Sequence, residues 1–347
     1  MSTTHRIIYD DSSQLSEIED ESVDLVVTSP PYPMVAMWDE MFGELNQEIS
    51  KMMDSGENDN AFELMHKELD KTWSSVFRVL KDGGIACINI GDSTRTLDGA
   101  FKLYNSHSRI LNFCISIGFD SLPSIIWRKA TNAPNKFMGS GMYPVGSHVT
   151  LEHEYILVLR KGPRRTFDTP ESKSNRNKSA FFWEERNKWF SDTWFDIHGK
   201  LQDIESSKRD RSAAYPFELA YRLINMFSVK SDFVLDPFLG TGTTTKAAIS
   251  SERNSIGFER DETLKELIDQ EISECQDFSN IYVGERLDRH LEFIKARIES
   301  GKDAKHKLNN HDGYCVSSQE VDIVLNKISS VQISGSGYKI SYENLGR

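Results

Sequence analysis

The stretch Val234-Leu-Asp-Pro-Phe-Leu-Gly-Thr-Gly-Thr-Thr-Thr245 constrains this chain more than any other. Phe233 to Leu235 is a short apolar run of the kind that forms a buried strand, and Asp236 stands where it ends. Gly240 and Gly242 bracket a tight turn. Thr243 to Ile249 reads as the start of a helix, with Ala247, Ala248 and Ile249 turned inward. Strand, glycine turn and helix form the layout of a nucleotide-type cofactor site. Glycine lets the backbone approach a ligand, and a helix start offers unpaired N–H groups. Ser255 to Phe258 is a second short strand, ended by Glu259, where an acidic residue would hold a pair of ribose hydroxyls. A dinucleotide fingerprint would put a third glycine at Thr245, and a Walker loop would follow its glycine with Lys and then Ser or Thr. Neither pattern is met.

The second anchor is Thr28-Ser29-Pro30-Pro31-Tyr32, directly after the apolar strand Val23 to Val27. Two prolines fix φ and give up two N–H donors, so the turn is rich in acceptors. Ser29 adds a hydroxyl and Tyr32 an aromatic face. Acceptors beside a stacking platform suit an exocyclic amino group on a planar base; the plain alternative is a rigid Pro-Pro turn.

With both anchors in view, the sequence resembles the amino-methylating DNA methyltransferases that use S-adenosylmethionine. Ser29, Pro30, Pro31 and Tyr32 match their catalytic motif. Asp236, Pro237, Phe238, Gly240, Thr241, Gly242, Thr243 and Thr244 match their cofactor loop. The catalytic motif precedes the cofactor motif, as in the family's beta order, and the likeness runs from about Ile7 to about Ile294. The spelling Thr-Ser-Pro-Pro-Tyr resembles the branch that methylates N4 of cytosine, and Pro31 to Trp38 looks like enzymes acting on CTAG. The resemblance implies S-adenosylmethionine as cofactor, double-stranded DNA as substrate and a cognate restriction endonuclease acting on the same site. It also implies a Rossmann-like α/β sandwich, with a seven-stranded, mostly parallel sheet that has one antiparallel edge strand. Asp11 matches a residue near the cofactor's adenine, although Asp10 replaces the family's glycine. Arg211 stands where the family often has histidine before Tyr215-Pro216.

The likeness divides the chain of 347 residues into a catalytic half at 1–160, a target-recognition insertion at 161–211 joined by the 130–150 loop, a cofactor half at 212–300, and an extension at 301–347 without assigned role. The insertion carries Arg164, Arg165, Lys173, Arg176, Lys178, Arg186 and Lys188 among Phe181, Phe182, Trp183, Trp189 and Trp194. Cations interleaved with aromatics suit phosphate contacts and base reading; a solvated insertion with its own small core is the bland alternative. The net charge of −12 is no obstacle, because the distribution matters. Basic residues outnumber acidic ones about two to one from Ser121 to Phe190, and the balance reverses from Trp38 to Asp82. A basic face and an acidic back follow as the expectation.

No apolar run is long enough to span a bilayer and no signal-peptide pattern opens the chain, so a cytoplasmic enzyme is expected, as monomer or homodimer. Cys87, Cys114, Cys275 and Cys315 have no metal-type spacing and none follows a proline, which argues against a metal site and against covalent attack on a cytosine ring. Four further expectations concern local structure. Leu15 and Ile18 should begin a short helix, and the polar residues 43–60 should form a loop. The residues from Phe62 to Leu80 have helical spacing, with Asp82-Gly83-Gly84 as cap. Val321 to Leu325 and Val331 to Tyr342 should pair as strands. Adenine N6, an RNA base or a protein amide remain as other acceptors, and a non-catalytic nucleic-acid binder remains as a different class.

Overall fold

The computed structural model describes residues 1–97, 99–129, 138–198, 215–334 and 337–346. Its main sheet comprises β1 (Ser2–Tyr9), β2 (Val23–Thr28), β3 (Leu80–Ile90), β4 (Phe119–Arg128), β5 (His153–Lys161), β6 (Thr193–Trp194), β7 (Phe233–Asp236), β8 (Asn254–Glu259), β9 (Asn326–Ser334) and β10 (Gly337–Asn344). The ten strands lie in the order β6-β4-β5-β3-β2-β7-β8-β1-β10-β9. β5 and β10 run against the others. β2 is buried at every position, as a central strand covered on both faces must be. The helices are α1 (Asp39–Leu45), α2 (Gln47–Asp54), α3 (Asn58–Val79), α4 (Ser106–Ser116), α5 (Pro170–Lys178), α6 (Trp183–Trp189), α7 (Phe217–Phe227), α8 (Thr243–Ser250), α9 (Lys265–Ser273) and α10 (Cys275–Glu299). One core packs α3 and α4 against one face of the sheet through Leu69, Trp73, Val76 and Ile110. A second packs α7 and α8 against the other through Leu219, Leu223, Ala247 and Ala248. No helix among the described residues is long and apolar enough to cross a membrane. All four cysteines are free and buried.

The α/β sandwich is as expected, but the sheet is larger. The antiparallel strand β5 is not at an edge; it lies between β3 and β4, where both of its ladders are filled. The true edge beyond β1 is covered by the β9–β10 hairpin, so residues from 326 onward join the fold rather than trail from it. Val331 to Tyr342 is therefore two strands, and Val321 to Leu325 is not one.

Three other expectations fail for local reasons. No helix begins at Leu15, whose φ is +46°. Instead the Arg78 guanidinium holds the carbonyls of Gln14, Leu15 and Ile18 in a fixed turn. Residues 43–60 are not a loop. Asn46 caps α2 by accepting the Glu48 amide, and Ile49 is buried against the core, so a polar segment still has one apolar stripe. α3 ends at Val79, and Asp82 to Gly84 already belong to β3.

Candidate active site

Parallel strands that enter one sheet side by side deliver their ends to one edge. β2 and β7 are neighbours, with Leu25 opposite Val234 and Val26 opposite Leu235. Thr28 and Asp236, the last residues of the two strands, therefore meet, and Thr28 Oγ1 donates to Asp236 Oδ1 at 2.6 Å. The Phe238 amide donates to the same oxygen at 3.1 Å. The Thr244 and Tyr215 hydroxyls donate to Oδ2. Burial pushes the Asp236 carboxyl above its ordinary value, and these donors oppose the shift. One buried carboxylate thus ties the Ser29 turn, the glycine loop and the first turn of α8 together.

The glycine loop is built as its composition requires. Gly240 and Gly242 have φ of +57° and +86°, where a side chain is strained, and Gly242 opens α8. Glu259, at the end of β8, accepts the Gly240 and Asp261 amides at 2.8 Å each, which fixes the loop from below. Burial raises its carboxyl above the ordinary range. Asp11 accepts the Ser13 amide at 2.8 Å.

These pieces surround one cavity of about 610 Å³. Ser29, Pro30, Pro31 and Tyr32 line one part of it. Asp11, Pro237, Phe238, Gly240, Thr241, Thr243 and Glu259 line another. Asp236, Gly242 and Thr244 lie behind that wall as its support. The two sequence anchors, more than two hundred residues apart, form one site. Met37 and Trp38 also line it, whereas Met34 is core. Glu40, Glu44 and Glu68 line it too, so part of the acidic segment from α1 to α3 faces the cavity, while Glu48, Asp54, Glu57, Asp59 and Glu63 do not line it.

The Ser29–Tyr32 turn has partners that its own sequence does not announce. Tyr32 Oη donates to Glu154 Oε2 at 2.9 Å and receives the Ser29 hydroxyl at 3.2 Å. Asn89 Nδ2 donates to both Tyr32 Oη, at 2.9 Å, and Glu154 Oε2, at 2.7 Å. Lys129 Nζ closes on Glu154 Oε1 at 2.7 Å. Burial first, and the Glu154 charge second, hold the Tyr32 phenol well above its ordinary value. Asn89 and Glu154 are polar residues in strands of buried apolar neighbours, 2% and 4% exposed. That placement was the available signal in the sequence.

The insertion does not act as one surface. β5 runs antiparallel, so its end at Lys161 delivers Arg164 and Arg165 to the amino edge, opposite the cavity. There Arg165 pairs in bidentate fashion with Asp232, at 2.7 and 3.0 Å, and lies close to Asp24. The Arg165 and Arg176 guanidiniums both lie over the Phe167 ring. Asn175 bonds the Lys230 carbonyl, and that of Lys178 accepts the Val324 amide. α5, with Lys173, thus packs away from the site. Lys188 differs. It pairs with Asp196, just past β6, which runs parallel to β4 toward the cavity's edge. Arg186 is exposed beside Phe190. Trp189 and Trp194 are core. Arg211 and the Thr131 to Lys136 stretch lie outside the described residues. Although the cysteines gave no metal-type spacing, the fold gathers Glu184, His290 and Glu320 away from the cavity. The His290 ring bonds Glu184 through Nδ1 and the Tyr314 carbonyl through Nε2.

A family model described as DNA methylase matches residues 23–270. The type II methyltransferase M.MthZI of Methanothermobacter thermautotrophicus is 50% identical over 94% of this chain and 91% of its own. M.MjaI of Methanocaldococcus jannaschii, also a type II methyltransferase, is 50% identical over 78% of this chain and 92% of its own. The crystal structure of a putative DNA modification methylase from Thermus thermophilus, complexed with S-adenosyl-L-methionine, superposes with a TM-score of 0.60. It shares 32% identity and covers 77% of this chain and 92% of that one. With its two anchors on one cavity and these relatives on either side, the chain belongs to the family of amino-directed DNA methylases found in restriction-modification systems.

Proposed function

We propose that this enzyme methylates the exocyclic N4 of a cytosine flipped out of duplex DNA, within CTAG, and so protects DNA from a cognate endonuclease. The observation that carries this reading is the shared cavity, where the Ser29–Tyr32 turn faces the glycine loop. The cavity suits S-adenosylmethionine, which carries both a nucleoside and a cationic sulfonium. Gly240 exposes backbone with open space where a side chain would stand. Phe238, Phe258 and Leu264 give apolar walls, and carboxylates of Asp11, Glu40, Glu44, Glu68 and Glu259 line the same space, with Arg260 paired to Glu44 and Lys71 to Glu68. When bound, that cofactor supplies an activated methyl group.

The residues of the chain perform the rest. A base inside duplex DNA is out of reach, so the target must leave the stack. Ser29 Oγ and the Pro30 carbonyl accept the two amino N–H bonds, which turns the nitrogen lone pair out of the ring. The Tyr32 ring, its hydroxyl fixed by Asn89 and Glu154, holds the base plane. Rate enhancement then comes from position and preorganised acceptors. Among the insertion cations, Arg186 and Lys188 are the ones proposed for phosphate contacts; Arg164, Arg165, Lys173, Arg176 and Lys178 belong to the opposite edge. The test is methylation of unmodified plasmid with labelled cofactor, followed by nucleoside mass spectrometry. N4-methylcytosine supports the assignment, and N6-methyladenine overturns the choice of base while leaving the family intact.

A further inference from the structure

We propose that Glu154 is the proton acceptor of the reaction, reached from the target amine through Ser29 and Tyr32, and that it also orients Ser29. The inference rests on the methyltransferase reading above. It starts from the direction of four hydrogen bonds. The Asn89 amide nitrogen can only donate, and it donates to Tyr32 Oη and Glu154 Oε2. Ser29 Oγ donates to Tyr32 Oη as well. The Tyr32 oxygen therefore has its acceptor positions filled, and its own proton must point to Glu154 Oε2, 2.9 Å away. The chain of donors runs one way, from Ser29 to Tyr32 to Glu154. Because Ser29 spends its proton on Tyr32 and lines the cavity, only its lone pairs are left for a substrate. A residue on β5, far from the catalytic motif in sequence, thus makes Ser29 an acceptor.

The same chain can move a proton. When the amino nitrogen gains its methyl group it carries one hydrogen too many, and an N–H bond must break. That proton passes to Ser29 Oγ, the Ser29 proton to Tyr32 Oη, and the Tyr32 proton to Glu154 Oε2. Serine and tyrosine end neutral, and the carboxylate ends protonated. No oxidant or further reactant is required. Glu154 is 4% exposed, and Lys129 Nζ stands 2.7 Å from its Oε1, the oxygen that the Tyr32 proton does not reach. A Cβ at Gly91 would stand 3.0 Å from the Tyr32 ring and 3.3 Å from Glu154, tighter than ordinary contact, so the relay is closely packed.

The experiment is single-turnover methyl transfer with the full chain and duplex DNA, for wild type, Glu154→Gln, Tyr32→Phe and the double variant. Glutamine keeps the volume but cannot take a proton, and its amide can reverse the chain. Each single variant is expected to slow transfer about 100-fold, the usual weight of a general base. Cofactor affinity by calorimetry should stay as in wild type. Rates of the variants should climb with pH as hydroxide replaces the lost acceptor, while the wild-type rate stays flat. The double variant should be no slower than either single, because both break one chain. Wild-type rates in Glu154→Gln, or losses that multiply in the double variant, overturn the relay. If Glu154→Gln melts early, Tyr32→Phe decides through its pH profile. If the wild type itself transfers no methyl group to DNA, the functional reading fails first and the relay fails with it.

Discussion

Both edges of the main sheet place buried carboxylates between β2 and β7, two at the amino edge and one at the carboxyl edge, and the edges treat them differently. At the amino edge Asp24 meets Lys81 at 2.9 Å, and Asp232 meets the Arg165 fork. Charge is cancelled by charge there. At the carboxyl edge Asp236 meets three hydroxyls and one amide, with no cation in contact among the described residues, and a large cavity opens beside it. Ion pairs close a structure. A hydroxyl network instead holds neighbouring loops in place and leaves the field of the carboxylate available to a ligand. The position of a charge relative to a sheet edge thus says more about its role than its presence in a basic or acidic stretch.

Predictions that sharpen this contrast run from large effects to small. Asp236→Ala should take the shared acceptor from the Thr28, Thr244 and Tyr215 hydroxyls and cost on the order of 3 kcal/mol of stability. It should abolish cofactor binding as well, read by thermal melting and calorimetry. Ser29→Ala should cut the transfer rate about 100-fold or more with stability and cofactor affinity unchanged. Arg165→Ala should do the reverse. Stranding Asp232 at 6% side-chain exposure should lower stability by roughly 2–3 kcal/mol, discounted because Arg165 is about a third exposed, with the transfer rate unchanged. An equal loss of rate in Arg165→Ala would erase the distinction between the edges.

Acid sensitivity provides a further test. Burial lowers His66 to about 3, and neither ring nitrogen has a partner among the described residues. The unfolded chain takes up a proton near 6.5 while the folded chain does not, so stability is lost as pH falls from that value toward 3. At pH 5 the loss is on the order of 2 kcal/mol. His66→Leu should flatten the fall in denaturation curves taken between pH 7 and pH 5. The smallest effect concerns DNA. Lys188→Ala should weaken binding and reduce its salt dependence, and Lys173→Ala, on the amino edge, should change neither. Equal losses from both would return α5 to the DNA surface.

The parts of the candidate site that were legible in the sequence are those built from consecutive residues, which the fold brings to one cavity. Ser29 to Tyr32 and Asp236 to Thr244 carry their backbone demands in their own spelling, and Glu259 is found by counting from the glycines. Asn89, Lys129 and Glu154 were not legible as site residues because their meeting depends on the antiparallel register of β3 with β5, where Asn89 stands opposite Ile156. No local pattern encodes that register. The insertion misled for the same reason, since whether Arg164 to Lys178 face the cavity depends on which way β5 runs. In residues 43–60 polar composition hid a stripe as small as Ile49 and Met53, enough for a helix packed on a large core.

The most direct test of the central claim is a crystal structure of the chain with S-adenosylhomocysteine and a duplex carrying CTAG. The nucleoside is predicted to lie between Asp11, Glu259 and the Gly240 turn, with its sulfur facing Ser29 to Tyr32 and a flipped cytosine on the Tyr32 ring. A nucleoside bound elsewhere, or a cofactor whose sulfur faces away from that turn, would contradict the account.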